Sequence, residues 1–417
     1  MTYSNNKKKK LLFFSDCFIY GGCEIVIANL MNSKLIHQNF DVKYSFRDFK
    51  AYSSAVKKKI ISKWHKLLLP LKLMSNGNIY YFLDLNIEIN IIRKLLKFPF
   101  FIIQNIGIYS FFNFFKLLSF FKKQNPDILF INNGGYPGSE ICRLAVKAAK
   151  KANINKILFN VNNIAYPPKS SFEKKENIFI GKNVDYFITA SFAARNALIQ
   201  TVGFNPDKIV SIPNTINEEL LKINAGILKK EFNINDNIIL LGSVGLLTKR
   251  KGFEILIQAI SEVIKYENIP EFKVFIFGEG EDRKKLGLLI DELNLKNIFL
   301  PGHKEDILSY VNDFDLFILP SISNEDMPYV ILEAMMLKKS VIGTNVAGIP
   351  EEIKTGKTGF VVAPGDIHEL ANAIIKLLID KELRVNLSEQ AYIRYNELFS
   401  YNIIINKYYE LFKNILK

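Results

Sequence analysis

Short apolar runs alternate with stretches of helical period along this chain, and the alternation occurs twice. In the first half, Leu11 to Phe14, Ile128 to Ile131, Ile157 to Val161, Phe187 to Thr189 and Ile209 to Ile212 have the length and composition of buried strands. Val42, Tyr44 and Phe46 alternate with polar residues and predict another strand, and Ile79 to Phe82 predicts one more. Helical periods separate them at Ile25 to Met31, Ser139 to Ala152 and Ser191 to Thr201. Strands that alternate with helices imply a doubly wound parallel sheet.

Pro213-Asn214 closes this half, and Thr215 to Ile234 is polar and poorly periodic. A second alternation follows. Strands are predicted at Ile238 to Val244, Lys273 to Phe277, Ile298 to Leu300, Leu316 to Leu319, Ser340 to Gly343 and Gly359 to Val362. Helices are predicted at Phe253 to Ile264, Arg283 to Leu293, Glu305 to Val311, Tyr329 to Met336, Ile367 to Ile379 and Leu383 to Leu398. A last helix, Tyr401 to Leu416, is expected to cross back to the first domain. A chain of 417 residues exceeds one ordinary core. The expected fold class is therefore α/β, with two Rossmann-like, doubly wound parallel-sheet domains facing a central cleft. Their expected limits are 1–215 and 216–398, with 399–417 packing back on the first. In such sheets ligands bind beyond the carboxyl ends of the strands.

The formal net charge of +14 brings in partners of negative charge. Basic runs stand at Lys7 to Lys10 and Lys57 to Lys59, but no nucleic-acid-binding signature accompanies them. No nucleic-acid partner is expected; a solvated face or an anionic membrane surface remains. The apolar core of the N-terminal segment, Leu11 to Phe14, is too short for a secretory signal. Phe98 to Phe121 reaches transmembrane length, yet Gln104, Asn105, Asn113 and Lys116 interrupt it. A buried or membrane-surface helix fits it better than a span. The three cysteines, Cys17, Cys23 and Cys142, lack metal-ligand spacing and fit a reducing compartment. The expected location is cytoplasmic, with contact at the inner face of the cell membrane. Neither metal nor cofactor is expected.

The candidate chemistry lies on loops that leave strands. Gly21-Gly22 joins the first strand to the first helix, where backbone can approach a phosphate or a sugar. GSVGLLTKRKG places Gly245 after a strand and gathers Lys249, Arg250 and Lys251 before Gly252. Cations there can neutralise a diphosphate leaving group. FIFGEGEDR holds Gly278 and Gly280 at a strand end, and PGHKED adds His303 on the next exit loop. In SISNEDMPYVILEAM, Asp326 is placed to cap the helix and Pro328 to sit in its first turn. Glu325 then lies at the helix mouth and Glu333 about two turns on, roughly 10 Å along the axis. One ligand with polyol groups at both ends and phosphates between them, such as a nucleotide sugar, could touch both acids. AGIPEEI, with Gly348 and Pro350, is a further loop entering a helix. Asp313-Phe314-Asp315 reads D-x-D but precedes its strand, at the wrong end for a site, and is assigned to structural capping.

LTKRKG, FGEGEDR, ILPSISNEDMPYVILEAM and AGIPEEI, in this order and spacing, resemble the retaining glycosyltransferases of family 4, the group 1 family, which adopt the GT-B fold. The resemblance is dense from Leu241 to Leu378 and looser before Asp127. It implies that Glu325, first acid of the E-x7-E element, contacts the donor sugar, that Glu333 holds the ribose hydroxyls, and that Lys251 binds the diphosphate with Arg250 nearby. Asp326, Met327, Pro328, Tyr329 and Val330 complete the implied substrate loop. Where the family places an arginine after the glycine of this domain's first loop, the chain has Leu246; Arg250 or Lys249 stands in. Where the family places histidines in the first domain, the chain has Phe130 and Asn132, then Asn162. Asparagine does not titrate, so the leaving phosphate is expected to accept the acceptor's proton. Asn132 and Asn162 orient the donor sugar or stabilise developing charge. The implied activity is metal-independent transfer of a hexose from a UDP- or GDP-sugar to a glycan or lipid-linked glycan acceptor in surface polysaccharide assembly. The alternative is a non-catalytic nucleotide-sugar-binding partner of an assembly complex.

Overall fold

The computed structural model describes residues 8–87 and 89–417. The apolar runs of the first half become a seven-stranded sheet: β1 (Lys9–Ser15), β2 (Phe40–Arg47), β3 (Leu68–Leu71), β4 (Ile128–Asn133), β5 (Lys156–Val161), β6 (Tyr186–Thr189) and β7 (Ile209–Ser211). Their order is β3-β2-β1-β4-β5-β6-β7, and every pairing is parallel. Helices cover the sheet's faces, which is why its central strands are apolar throughout: Phe13, Phe14, Phe130, Ile131 and Phe159 are fully buried. The second half forms a six-stranded parallel sheet from β8 (Ile239–Val244), β9 (Phe272–Phe277), β10 (Ile298–Gly302), β11 (Leu316–Leu319), β12 (Ser340–Thr344) and β13 (Phe360–Val362). Its order is β10-β9-β8-β11-β12-β13.

The chain divides into two compact units. One comprises Met1–Thr189, Arg195–Ile212 and Ile405–Lys417, and the other Ala190–Ala194 and Pro213–Ile404. Within the first, Phe412 of the Tyr401–Asn414 helix is fully buried, with ring centroids 5.9 Å from Phe40, 6.0 Å from Phe130 and 6.3 Å from Phe13. Within the second, Gly242 of β8 leaves the space that the Phe314 ring fills; a Cβ there would stand 1.8 Å from it. The D-x-D acids serve the backbone. Asp313 accepts from Gly226 N and Leu228 N, and Asp315 from Leu240 N, at 2.6–2.8 Å.

Several expectations change. Ile79 to Phe82 is not a strand but lies in the Gly77–Asn86 helix, where the Tyr80 hydroxyl donates to Lys97 O of the next helix. The strand is instead Leu68–Leu71, hidden by Pro70. Proline is tolerated there because β3 lies at the sheet edge. Helices Lys50–Lys59 and Ser171–Asn183 also form. The segment from Phe98 to Phe121 is divided between two helices, Asn90–Asn105 and Ile108–Gln124, broken at Gly107 with φ +80°. Among the described residues no single helix is long and apolar enough to cross a membrane. The described lysines of the first basic run have partners, and Lys8 and Lys9 stay exposed. Lys7 lies outside the described residues, Lys8 donates to His37 O, Lys9 pairs with Asp127 and Lys10 donates to Gln124 O.

Candidate active site

In the second sheet the chain leaves β8 toward β9 on one side and β11 toward β12 on the other. β8 and β11 are neighbours, so the loops after them part at a topological switch point, where open α/β sheets leave a crevice for ligands. Lys249–Lys251 forms a short 3-10 turn after β8, and residues 320–328 follow β11. Gly252 makes their meeting possible. It has φ +68°, and a Cβ would stand 2.0 Å from Pro320 O. Ile322 N donates to Arg250 O at 2.8 Å, which stitches the two loops together.

Three charged groups converge there. Lys251 Nζ lies 2.5 Å and Arg250 Nη1 2.7 Å from the same Glu325 Oε1. The Ser321 hydroxyl donates to that oxygen at 3.2 Å. Glu325 is 7% and Lys251 8% exposed, so one buried carboxylate is shared by two cations. Burial pushes the Lys251 ammonium below the usual lysine range, against the pull of Glu325 and with that of Arg250. The cluster keeps one positive charge in excess, which suits a diphosphate. Gly245 lies beside it; a Cβ there would stand 3.5 Å from Lys251 Cε.

Asp326 does not cap the helix. The helix is Tyr329–Met336, with Pro328 at the cap position rather than inside the first turn. Asp326 instead turns inward, 4% exposed, and accepts from the Ser191 hydroxyl; Gly348 packs on its carbonyl. Burial pushes its carboxyl up to about 7, while Ser191 opposes. Met327 is held by Asn214, whose Nδ2 donates to Met327 O at 2.7 Å and whose Oδ1 accepts from Tyr329 OH at 3.2 Å. Tyr329 and Val330 open the helix half-buried, and Glu333 is half-buried one turn further, about 6 Å along the axis from Tyr329. Gly278, at φ +141°, lies against Gly245 O, and Gly280 against Leu247 O. Gly278 N donates to Gly302 O at 3.0 Å, and His303 follows, exposed.

The local signal carried Lys251, Arg250 and Glu325. It did not carry Ser191 or Asn214, which reach the loop from far away in the chain. It also missed Glu352, which is fully buried and accepts no hydrogen bond among the described residues. Burial, then the charges of Asp326, Glu325 and Glu351, push that carboxyl well above its usual range, with Arg394 opposing.

Two family models match this chain: "Glycosyltransferase Family 4" over residues 84–220 and "Glycosyl transferases group 1" over residues 225–394. The chain belongs to the group 1, family 4 glycosyltransferases. The chain is 29% identical over 249 residues to the capsular polysaccharide biosynthesis glycosyltransferase CapM of Staphylococcus aureus, a match that covers 58% of the chain and 62% of that relative. The match thus spans about three-fifths of the relative's length. It is 28% identical over 286 residues to an Escherichia coli UDP-Gal:alpha-D-GlcNAc-diphosphoundecaprenol alpha-1,3-galactosyltransferase, covering 66% of the chain and 72% of that protein. Among solved structures, Anabaena HepE in complex with UDP superposes with a TM-score of 0.76 at 18% identity, covering 97% of this chain and all of that one. That similarity establishes the GT-B fold.

The first unit of the chain repeats the layout. β1 and β4 are neighbours at the switch point of its sheet. Gly21 caps the Gly22–Asn32 helix after β1, and its N–H donates to Glu24 at 2.9 Å. Asn132, at the end of β4, is 1% exposed. Its Nδ2 donates to Cys23 O at 2.9 Å, and its Oδ1 accepts from Asn160 at 2.9 Å and Asn162 at 2.8 Å. Asn132 and Asn162 are thus brought together, with the Asn132 carbonyl occupied by its neighbours. Cys17, Cys23 and Glu24 also meet, their ligand atoms within 4.8 Å of one another, which sequence spacing concealed. The Cys23 hydrogen bond, then burial, push the Cys17 thiol up and favour its protonated form.

Proposed function

We propose that this protein is a retaining hexosyltransferase that draws on a uridine diphosphate sugar and acts without metal, on a glycan or lipid-linked glycan acceptor, in surface polysaccharide assembly. The observation that carries the reading is the convergence of Lys251, Arg250 and Glu325 at the switch point of the second sheet. UDP in the HepE crystals and the diphosphoundecaprenol acceptor in the name of the E. coli relative support the donor and acceptor classes.

The donor's diphosphate draws Lys251 and Arg250 away from Glu325, which then faces the sugar hydroxyls. Glu333 holds the ribose. The acceptor oxygen bonds to the anomeric carbon as the bond to the phosphate oxygen breaks on the same face, and the acceptor's proton passes to that phosphate oxygen. Lys251 offsets the charge left on the diphosphate. Asn132 and Asn162 contribute amide dipoles and no titrating group. The enzyme works in the cytoplasm, at the inner face of the cell membrane.

The test is a panel of UDP-glucose, UDP-galactose, UDP-N-acetylglucosamine and GDP-mannose, with EDTA present, read by released nucleotide and by the anomeric configuration of the product. Turnover with a UDP-sugar and retained configuration support the proposal. An inverted product or dependence on metal overturns the mechanism. Nucleotide-sugar binding without any product assigns the chain to the non-catalytic alternative.

A further inference from the structure

Two neighbouring helices of the first unit carry an apolar face that the described residues leave uncovered. In Asn90–Asn105, Ile91, Leu95, Phe98 and Ile102 recur at helical spacing and are 43–73% exposed. In Ile108–Gln124, Ile108, Phe111, Phe112 and Phe115 form a second stripe, 38–60% exposed. The second helix is not loose. Its opposite side, Asn113, Leu117 and Phe121, is fully buried in the core, and Asn113 exchanges hydrogen bonds with Met74 N and O at 2.8 and 2.9 Å. The outward stripe is therefore held in place by the inward one. Apolar patches of this kind on soluble chains mark interaction sites.

The charge says what covers the face. From Asn90 to Gln124 the sequence has no aspartate or glutamate, but it has Arg93, Lys94, Lys97, Lys116, Lys122 and Lys123. Arg93 and Lys97 reach Asp84 at 3.4 and 2.6 Å, while Lys94, Lys116, Lys122 and Lys123 are exposed. The two helices are bent by 54° at their junction, and neither is long and apolar enough to span a bilayer. Among the described residues Asp84 and Glu140 are the acids that touch these helices, so the face stays net positive, and a second copy of this chain would bring two such faces together, which repel.

We infer that this face docks on an anionic lipid bilayer. Its phenylalanines and isoleucines sit at the boundary of headgroups and acyl chains, and its lysines lie at the level of the lipid phosphates. The inference stands on the exposed face and not on the donor chemistry. It gives a surface to the membrane location proposed above and is tested without donor or acceptor, so its failure removes that location and leaves the transfer chemistry untouched.

The experiment is flotation of the full chain with vesicles of phosphatidylcholine alone and of equimolar phosphatidylcholine and phosphatidylglycerol, at low and high salt. Binding to the anionic vesicles, weakened by salt, is expected. The double variant Phe111→Glu/Phe115→Glu abolishes it while its melting temperature is kept. Lys116→Gln, Lys122→Gln and Lys123→Gln each lower partition to anionic vesicles about fivefold. A second readout uses Phe112→Trp, whose emission shifts to the blue and is quenched by brominated lipid. Failure of the parent chain to float with anionic vesicles, or equal flotation of the double glutamate variant, overturns the inference. So does a lipid-free dimer that the double variant dissociates, which would assign the face to a second copy.

Discussion

Replacing Lys251 by methionine removes one cation from the cluster and leaves its aliphatic stem in place. In the ligand-free protein the cost is small. Arg250 still holds Glu325 at 2.7 Å, and burial already disfavours the lysine's charge. The melting temperature should move little. With UDP the cost is large, because the diphosphate loses a charge-assisted hydrogen bond worth about 1.5–3 kcal/mol. That is about a 10- to 150-fold rise in Kd. Isothermal titration with UDP measures it without knowledge of sugar or acceptor. Glu325→Gln is the counterpart. It frees Lys251 from the competing carboxylate 2.5 Å away, so UDP affinity holds or rises while sugar transfer falls. The pH dependence has a fixed sign. Because burial lowers the Lys251 pKa, its charge is lost as pH rises through a point below the usual 10.5, and UDP affinity declines from there. Unchanged UDP affinity in a folded Lys251→Met protein would refute the role given to this cation.

Further consequences follow from other parts of the structure. Asp326 keeps its proton up to about 7 in the folded chain against the usual 3.8, so stability is full below the lower value and falls as pH rises through that window. Asp326→Asn should flatten this fall in melting curves taken across the range. Gly252→Ala forces a Cβ to 2.0 Å from Pro320 O at φ +68° and should cost at least about 2 kcal/mol in urea unfolding, with UDP binding weakened as the two loops part. Phe412→Ala empties a fully buried ring site between Phe13, Phe40 and Phe130 and should cost about 3–5 kcal/mol without altering UDP affinity. Asn132→Ala leaves Cys23 O without its partner amide and should lower the melting temperature while UDP affinity stays unchanged, which calorimetry and titration check together.

The alternation of apolar runs and helical periods was enough to fix the parallel α/β class, because a strand buried on both faces needs an uninterrupted apolar run and its crossover helix needs one apolar stripe. Most elements of the second half could be read in this way, and so could the loops with Lys251 and Glu325, because those residues follow strands directly. Local pattern misled where context outweighs propensity. Leu68–Leu71 contains a proline that only an edge position accepts, and the aromatic run of Gly77–Asn86 folds as a helix against its neighbour. Which oxygen the two cations share, the inward turn of Asp326 onto Ser191, and the meeting of Cys17, Cys23 and Glu24 were decided only by tertiary structure. These contacts depend on strand order, and strand order is set by which sheet edges and helix faces bury best together. No window of sequence contains that quantity.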